Sequence, residues 1–252
     1  MGFRRPRVMM DINGGGGQLS DFMEDGFNEG ILYYNYRGYY GGNGSYPTGS
    51  INNGYYNPFV TTITCGTGDF SYNESDSEDF VRMGSTNNPK GAVAAVGTST
   101  TGTHTAYNNI VDMGIYEGIF SNQITHAGTA VTNGRLTMLE TYPSNPGDCV
   151  GAFSAWNNLI GDPALHLWTD TPRDFVFDYP EEISLGTNYL GLTITDENQD
   201  PVQGARVTIL LGTDAIFQSF LTDESGHVSF AWDVLQEGEL FVTVTKRNYR
   251  PY

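Results

Sequence analysis

The stretch Phe59-Val-Thr-Thr-Ile-Thr-Cys65-Gly66-Thr67-Gly68-Asp69 is an apolar, β-branched run that ends in a cysteine and a glycine-rich turn. A run of this composition, bounded by glycines, predicts a buried β-strand followed by a tight turn. Cys65 would then lie at the carboxyl end of a strand, the edge at which open α/β sheets bind their ligands. Its thiol is a candidate nucleophile, one half of a disulfide, or a small core residue.

Strand-like and helix-like segments alternate on both sides of this stretch as far as about residue 170. Because the apolar runs are continuous rather than alternating, they are typical of strands that are covered on both faces. The pattern therefore predicts an α/β domain with a mostly parallel sheet. Strands are expected at residues 30–37, 60–65, 91–97 and 161–168, and helices at 20–28, 78–83, 108–122, 127–142 and 152–159.

After Thr169-Asp170-Thr171-Pro172 the pattern becomes purely β. Short alternating strands separated by turns predict an all-β sandwich of the immunoglobulin type, and we recognise no catalytic constellation in this part of the sequence. We therefore divide the chain into an α/β domain at 1–172 and a β-sandwich at 173–252. The strands of the sandwich are expected at 189–195, 205–211, 216–221, 227–232 and 239–245.

The composition excludes several classes of partner. Twelve Lys and Arg against 29 Asp and Glu give a net charge of −17, which repels nucleic acid and anionic lipid but suits cationic polypeptides. No apolar run approaches the roughly 20 residues that a membrane-spanning helix needs. The basic N-terminus is not followed by an apolar segment, so it does not resemble a signal peptide.

Four ordered motifs stand out along about residues 8–170: Asn35–Tyr39, Ile63–Phe70, Pro89–Ala94 and Trp156–Ala164. In order and spacing they resemble those of the gingipain family of secreted cysteine peptidases. The β-rich part that follows resembles the immunoglobulin-like domain that comes after gingipain catalytic domains.

This resemblance implies a caspase-like α/β fold and hydrolysis of peptide bonds by a Cys/His dyad. Cys65 falls on the family's nucleophile. The family places its histidine in an Asn-Tyr-x-Gly-His-Gly pattern, and this chain has Tyr39 at that position. A tyrosine, with a pKa of about 10, is a poor general base at neutral pH. The oxyanion hole needs only backbone N–H groups, which the resemblance assigns to Tyr40 and Cys65.

His104 is the candidate replacement for the missing base. It follows the third predicted strand, and in the family the loop after this strand lines the substrate pocket. Because parallel strands present their following loops at one edge, His104 is expected near Cys65; the alternative is a polar loop histidine that only lines the pocket. His126 and His166 are expected to be structural, the second of them in the closing strand.

The substrate-binding residues are assigned by position around Cys65. Asp69 is either an acid for basic peptides or the N-cap of the helix that follows. No cofactor is required, but some family members bind calcium, and the stretch Asp69–Asp79 offers oxygen ligands for a structural ion or is a solvated acidic loop. The remaining candidates are Gly38, Gly66, Thr98, Ser99 and Thr103.

The expected partners are a protein or peptide substrate and an upstream part of the same precursor. The family's catalytic region begins well before its histidine strand, so the sheet is expected to be partial at its N-terminal side. The family also implies an extracellular or cell-surface location. Two alternatives remain: a catalytically impaired homologue that serves as a binding or structural module, and an adhesin with a Cys65–Cys149 disulfide.

Overall fold

The computed structural model describes residues 6–10, 17–38, 49–71, 74–213, 215–232 and 237–252. Tyr39 and Tyr40, two of the predicted site residues, lie outside this part. The chain forms two compact units, with the division between Thr169 and Asp170. Across the described residues, no helix has both the length and the apolar character that crossing a membrane requires.

The first unit combines helices with a central sheet. Its described helices are α1 (Gly17–Glu29), α2 (Asp76–Arg82), α3 (Thr105–Phe120), α4 (Ala127–Thr141) and α5 (Cys149–Trp156). Its described strands are β1 (Tyr33–Asn35), β2 (Phe59–Thr62), β3 (Gly84–Ser85), β4 (Asn88–Pro89), β5 (Ala94–Thr98) and β6 (Asn157–Ile160).

The central sheet has the strand order β1-β2-β5-β6. The pairs β1–β2 and β2–β5 are parallel, and β6 runs antiparallel to β5. The prediction of an α/β unit whose sheet is mostly parallel is therefore confirmed in outline.

The predicted closing strand at 161–168 is wrong, because the strand β6 ends before it, at Ile160. Gly161 has a left-handed φ of 137°, and a Cβ built on it would lie 2.7 Å from the Cβ of Ala94. The chain turns there, so the strand cannot continue. His166 forms an isolated bridge with His126.

The buried strands β2 and β5 are covered on both faces, as their continuous apolar runs predict. Phe59 and Val96 face a core built with α3, α4 and α5, whereas Val60 and Ala95 face a core built with α1 and α2. Alternate residues therefore enter opposite cores, which fixes the register of each strand. The loops that carry the candidate site residues follow the carboxyl ends of these strands.

Glycines inside the predicted helices mark the contact between α3 and α4. A Cβ on Gly114 would lie 2.9 Å from the Cα of Gly134, and a Cβ on Gly134 would lie 2.5 Å from the carbonyl oxygen of Val111. The two helices approach so closely that no larger residue fits at these positions. Their glycines are therefore packing residues, and both predicted helices are confirmed, with α3 beginning earlier, at Thr105.

The second unit is built from strands throughout its described part. They are β7 (Phe175–Val176), β8 (Tyr189–Thr193), β9 (Thr195–Asp196), β10 (Arg206–Leu211), β11 (Ile216–Leu221), β12 (His227–Ala231) and β13 (Leu240–Thr245). Antiparallel pairing gives the sheets β11-β10-β13, β12-β8 and β7-β9. Val207 and Ile209 of β10 share one core with Leu190 and Leu192 of β8, so these two sheets bury a common apolar interior.

Candidate active site

Cys65 lies just beyond the carboxyl end of β2 and is half-buried. Its Sγ is 2.9 Å from Oγ1 of Thr103, in the loop between β5 and α3. Cys65 and Cys149 are both free thiols, which contradicts the predicted alternative of a disulfide between them. The thiol is therefore chemically available at the edge of the sheet where the sequence places it.

The glycine-rich turn after Cys65 is fixed to the neighbouring strand by its backbone. The N–H of Gly66 donates to the carbonyl of Thr100 at 2.9 Å, and the N–H of Gly68 donates to that of Thr98 at 3.0 Å. Gly66 has a left-handed φ of 73°, which glycine adopts without strain. A Cβ on Gly68 would lie 2.7 Å from the carbonyl carbon of Gly97. The nucleophile candidate is thus held on a rigid turn.

The end of β1 runs beside Cys65, as predicted. The N–H of Tyr36 donates to the carbonyl of Thr61 at 2.8 Å, and the hydroxyl of Thr64 donates to the carbonyl of Gly38 at 2.7 Å. The two chains therefore continue in parallel past the ends of their strands. Gly38 is brought next to the residue that precedes Cys65, and its role in substrate binding stays a prediction.

Arg37 is a site residue that the sequence analysis does not find. Its Nε and Nη2 donate to Oδ1 of Asn109 on α3, at 3.0 and 2.7 Å. Its Nη1 is buried and has no hydrogen-bond partner among the described residues. Burial lowers the pKa of Arg37, and the negative charges of Asp112, Cys65 and Tyr36 oppose that effect. The sequence signal that could have pointed to Arg37 is its place directly before Gly38, a predicted site residue.

Asp112 is a second group that the sequence analysis misses. It projects from α3 and is only 5% exposed. Its Oδ2 accepts a hydrogen bond from Nδ2 of Asn35 at 2.8 Å. Burial raises its pKa to about 6, against the opposing effects of the Asn35 hydrogen bond and the Arg37 charge. Its position on an apolar helix face was the only sequence signal.

His104 is the N-cap of α3 and is exposed. Its Nδ1 accepts a hydrogen bond from the N–H of Ala106 at 3.2 Å. In a neutral imidazole one nitrogen accepts and the other carries the proton, so this bond places the proton on Nε2. To accept a proton from a thiol, Nδ1 of His104 must first release its hydrogen bond from Ala106, because Nε2 already carries the proton. Among the described residues, Cys65 Sγ bonds to Thr103 and to no imidazole.

The other two histidines of the first unit lie together at the start of α4. The rings of His126 and His166 are 4.2 Å apart, and Nδ1 of His126 is 3.0 Å from Oγ1 of Thr125. The last segment of the first unit passes beside the start of α4 here, and the N–H of Leu167 donates to the carbonyl of Thr125. The two histidines therefore contact each other beside this last segment.

Two predicted pocket residues differ in their accessibility. Thr98 is fully buried, and its hydroxyl donates to Oδ1 of Asn157 at 2.8 Å. Ser99 is half-buried and its N–H donates to the carbonyl of Trp156 at 2.8 Å. The structure therefore brings Thr103 to Cys65, whereas the side chain of Thr98 points into the domain.

Asp69 is half-buried and closes a local turn. Its Oδ1 accepts hydrogen bonds from the N–H of Ser71 at 3.1 Å and from the Ser71 hydroxyl at 2.6 Å. Its alternative assignment as the cap of the next helix is wrong, because Ser75 caps α2 in a reciprocal capping box with Glu78.

The acidic stretch Asp69–Asp79 was also predicted as a source of calcium ligands. Glu78 is engaged in the capping box and Glu74 pairs with Arg82 at 2.6 Å. Burial and the neighbouring Asp79 raise the pKa of Asp76 to about 7. The described residues contain no group of three or more His, Cys, Asp or Glu side chains that could hold a metal ion. Calcium binding stays a prediction.

Comparison with known proteins identifies the family. The family model for peptidase family C25 matches residues 8–168. The chain belongs to peptidase family C25, the gingipain family. The match covers the sheet, the glycine-rich turn and Cys65, so the resemblance drawn from the four motifs is confirmed.

Solved structures of this family share the fold of the chain. It is similar to the Arg specific cysteine proteinase gingipain R (RGPB), at 21% identity and a TM-score of 0.66, over 92% of this chain and 54% of that one. It is also similar to the complex of Porphyromonas gingivalis RgpB pro- and mature domains, at 20% identity and a TM-score of 0.67, over 92% of this chain and 55% of that one. A third similar structure, described as that of a protease, has 16% identity and a TM-score of 0.60, over 90% of this chain and 54% of that one.

At these identities the likeness to the solved structures shows the fold alone. The chain spans about half the length of the structures it matches. No curated protein matches the chain.

Proposed function

We propose that the chain is a gingipain-like cysteine endopeptidase that hydrolyses peptide bonds through the Cys65 thiolate. One observation carries the proposal: a free, half-buried thiol lies at the carboxyl end of β2, on a glycine turn bonded to the loop after β5. This is the edge of the sheet at which a substrate can reach it. Membership of family C25 supports the same chemistry.

The reaction follows the general course of covalent catalysis by a thiolate. The Cys65 sulfur adds to the scissile carbonyl carbon, and the π electron pair moves onto oxygen. The backbone N–H groups of Cys65 and Tyr40 stabilise that oxyanion. The carbon–nitrogen bond breaks, the amine leaves with a proton, and water hydrolyses the thioester to a carboxylic acid and the free thiol. His104 carries the proton from thiol to amine once its cap bond to Ala106 opens.

The substrate is a protein or peptide that lies along the ends of β1, β2 and β5. Gly38 and Gly66 line this edge with backbone, and Ser99 and Thr103 contribute polar groups. Asp69 supplies an acid for a basic side chain, in keeping with the net charge of −17. The Thr98 hydroxyl is occupied by Asn157 and its carbonyl by the N–H of Gly68, so Thr98 supports this edge from within the domain.

The wider context of the proposal follows the family. The first domain, 1–172, is caspase-like, and the second, 173–252, is an immunoglobulin-like sandwich, supported by the core that β8 and β10 share. The protein acts outside the cell or on its surface. Its pro-segment is a partner, as the complex of pro- and mature domains suggests by analogy. No cofactor is needed for the reaction, and bound calcium has a structural role.

A second candidate is a catalytically impaired homologue that binds peptides or has a structural role. Two observations favour it. Tyr39 occupies the position of the family's histidine. The Nδ1 of His104 is already engaged by the N–H of Ala106. In this alternative the Cys65 edge still binds a peptide, but no group moves the protons of the reaction.

The test is hydrolysis of a mixture of unstructured peptides by the full chain and by two matched variants. Cys65→Ala removes the proposed nucleophile, and Cys149→Ala removes the other thiol. Cleavage that is lost only in Cys65→Ala supports the peptidase. If the parent chain cleaves nothing but retains peptides that Cys65→Ala also retains, the impaired homologue is the better account.

A further inference from the structure

We propose that Asn109 and Asp112 of α3 are positioning residues that hold the end of β1 beside the turn of Cys65, in the geometry that peptide hydrolysis needs. The inference rests on the proposed function, because it takes this edge of the sheet as the place where a peptide is cleaved. It gives a part in the reaction to two side chains that lie outside the four sequence motifs.

The end of β1 needs support because β1 is the outermost strand of the described sheet. In the order β1-β2-β5-β6 its backbone pairs with β2, and this pairing ends with Asn35 opposite Thr61. The N–H of Tyr36 then donates to the carbonyl of Thr61 at 2.8 Å. The hydroxyl of Thr64 donates to the carbonyl of Gly38 at 2.7 Å. A segment that is bonded along one side in this way opens more easily than a central strand.

The helix α3 holds the same segment through two pairs of side chains. Nδ2 of Asn35 donates to Oδ2 of Asp112 at 2.8 Å. Nε and Nη2 of Arg37 donate to Oδ1 of Asn109 at 3.0 and 2.7 Å. Asn35 and Arg37 are two residues apart in extended chain, and Asn109 and Asp112 are three apart in a helix, so each pair of neighbours shares one face of its element. The four side chains form a ladder between β1 and α3.

Each pair of this side-chain ladder joins a charged group to an asparagine. Asp112 is only 5% exposed, and its Oδ1 has no hydrogen-bond partner among the described residues. Nη1 of Arg37 is also buried without a partner in that part of the chain. A buried charge is stable only where hydrogen bonds or another charge offset its loss of water. The bonds from Asn35 and to Asn109 therefore fix where the two charged groups can lie.

The edge that the side-chain ladder supports leads to the proposed oxyanion donor. Tyr40, whose backbone N–H is assigned that part, follows Gly38 by two residues in the sequence. The other side of the edge is tied to the same helix, since Thr103 Oγ1, two residues before α3 begins, lies 2.9 Å from Cys65 Sγ. A misplacement of about 1 Å in such groups can lower a rate about a hundredfold. The ladder therefore sets the position of one wall of the site relative to the sulfur.

The experiment combines amide hydrogen exchange with peptide hydrolysis in the full chain. Asn109→Ala removes the acceptor of Arg37, whereas Asn109→Asp keeps an acceptor oxygen in its place. Asn109 is exposed and alanine favours a helix, so Asn109→Ala should fold and keep at least the parental melting temperature. Glu117→Ala, at another exposed position of α3, is the control.

In Asn109→Ala we expect the N–H of Tyr36 to exchange about tenfold faster, in line with the loss of hydrogen bonds to a charged group. We expect kcat to fall about tenfold with KM within about twofold of the parent, because the end of β1 acts on the transition state. Asn109→Asp and Glu117→Ala should match the parent in all three quantities. Parental exchange in Asn109→Ala overturns the proposal, and so does faster exchange with an unchanged kcat.

A double-mutant cycle shows whether Asn109 acts through Arg37. Arg37→Met removes the other partner of the pair, so Asn109→Ala should add little to its effect on kcat when both are combined. Fully additive losses overturn the proposal, because they mean that the two side chains act independently. If Arg37→Met does not fold, Asn35→Ala tests the second pair instead, and parental exchange of the Tyr36 N–H in that variant overturns the role of Asp112.

Hydrogen exchange needs no substrate, so its outcome is independent of peptidase activity. A parent chain that cleaves no peptide overturns the endopeptidase, and exchange alone then decides on the side-chain ladder. Faster exchange in Asn109→Ala but not in Asn109→Asp supports the ladder in that case, and equal exchange overturns it. Parental exchange and parental cleavage in Asn109→Ala overturn the ladder and leave the endopeptidase standing.

Discussion

Cys65 Sγ and Thr103 Oγ1 lie 2.9 Å apart, which joins the turn after β2 to the loop that leads into α3. Thr103 is the predicted pocket residue whose side chain contacts the candidate nucleophile. A hydroxyl at this distance donates to a thiolate, and hydrogen bonds to charged groups are stronger than those between neutral groups. Substitution of Thr103 therefore tests directly whether this hydroxyl affects the reactivity of the Cys65 sulfur.

Thr103→Val removes this hydroxyl and preserves the shape of the side chain. We expect iodoacetamide alkylation of Cys65 near neutral pH to slow about fivefold, which corresponds to about 1 kcal/mol of lost hydrogen bonding. Thr103→Ser keeps the hydroxyl and should react at the parental rate. Equal rates in the valine and serine variants would show that the contact does not stabilise the thiolate.

His104→Asn separates the two roles of His104. Asparagine is a good N-cap residue but has no titratable group, so the variant keeps the cap of α3 and loses the imidazole. If His104 moves protons in the reaction, peptide hydrolysis should fall at least a hundredfold, while the melting temperature stays close to that of the parent. His104→Ala should lose both properties. Full hydrolysis in His104→Asn would exclude the imidazole as base.

Thr98→Val tests whether Thr98 supports the fold or contacts the substrate. Its buried hydroxyl donates to Asn157, so the variant should lower the free energy of unfolding by about 1–3 kcal/mol in urea denaturation. Thr98→Ser should lose less. As a control, Thr132→Val removes an exposed hydroxyl that bonds within α4 and should change stability little. A raised KM for peptides with unchanged stability would favour substrate contact instead.

Asp112 predicts a pH dependence of stability. Its pKa of about 6 lies above the ordinary value of 3.8, so the folded state holds its proton more tightly than the unfolded state. Its stabilising contribution is therefore present below about pH 4 and is lost as pH rises through about 6. The asparagine variant does not titrate, so it does not lose this contribution. Between about pH 4 and neutral pH, the free energy of unfolding of Asp112→Asn minus that of the parent should therefore rise by about 3 kcal/mol.

Urea denaturation of parent and Asp112→Asn across this range measures the effect. The same substitution at the exposed Asp178 is the control and should leave the pH profile parallel to that of the parent. A constant difference between parent and Asp112→Asn from about pH 4 to about pH 7 would contradict the prediction.

Gly68→Ala tests the rigidity of the turn after Cys65. The added Cβ would lie 2.7 Å from the carbonyl carbon of Gly97, which is backbone and cannot move aside cheaply. We expect a loss of about 1–3 kcal/mol in the free energy of unfolding and a strong reduction in hydrolysis. Gly151→Ala, in α5, has open space around the added methyl group and should stabilise the protein slightly. Parental stability in Gly68→Ala would mean that the turn is not tightly packed.

Much of the fold could be predicted because buried positions recur in the sequence with the periodicity of the helix or strand that contains them. The apolar runs at 60–65 and 91–97 predicted the two central strands, and alternation predicted the strands of the second unit. The closing strand was misplaced because a left-handed φ at Gly161 is set by its approach to Ala94, a contact between segments that are distant in sequence.

The candidate site was predictable only where a motif or a strand end marked it. Cys65, Gly38 and Thr103 lie together because parallel strands end at one edge of the sheet. Arg37 and Asp112 went unnoticed because their significance arises from tertiary pairing through Asn109 and Asn35. Neither pairing has a local signature in the sequence.

The close contact between Gly114 and Gly134 links the packing of α3 against α4 to the candidate site. This helix begins beside the residue that touches the thiol, and further along it holds Asn109 and Asp112. A methyl group on Gly134 would press on the carbonyl of Val111, so α3 would have to shift. Substitutions at the interface between α3 and α4 would then change the position of the Thr103 hydroxyl, and with it the surroundings of the sulfur, without altering any residue that contacts the thiol.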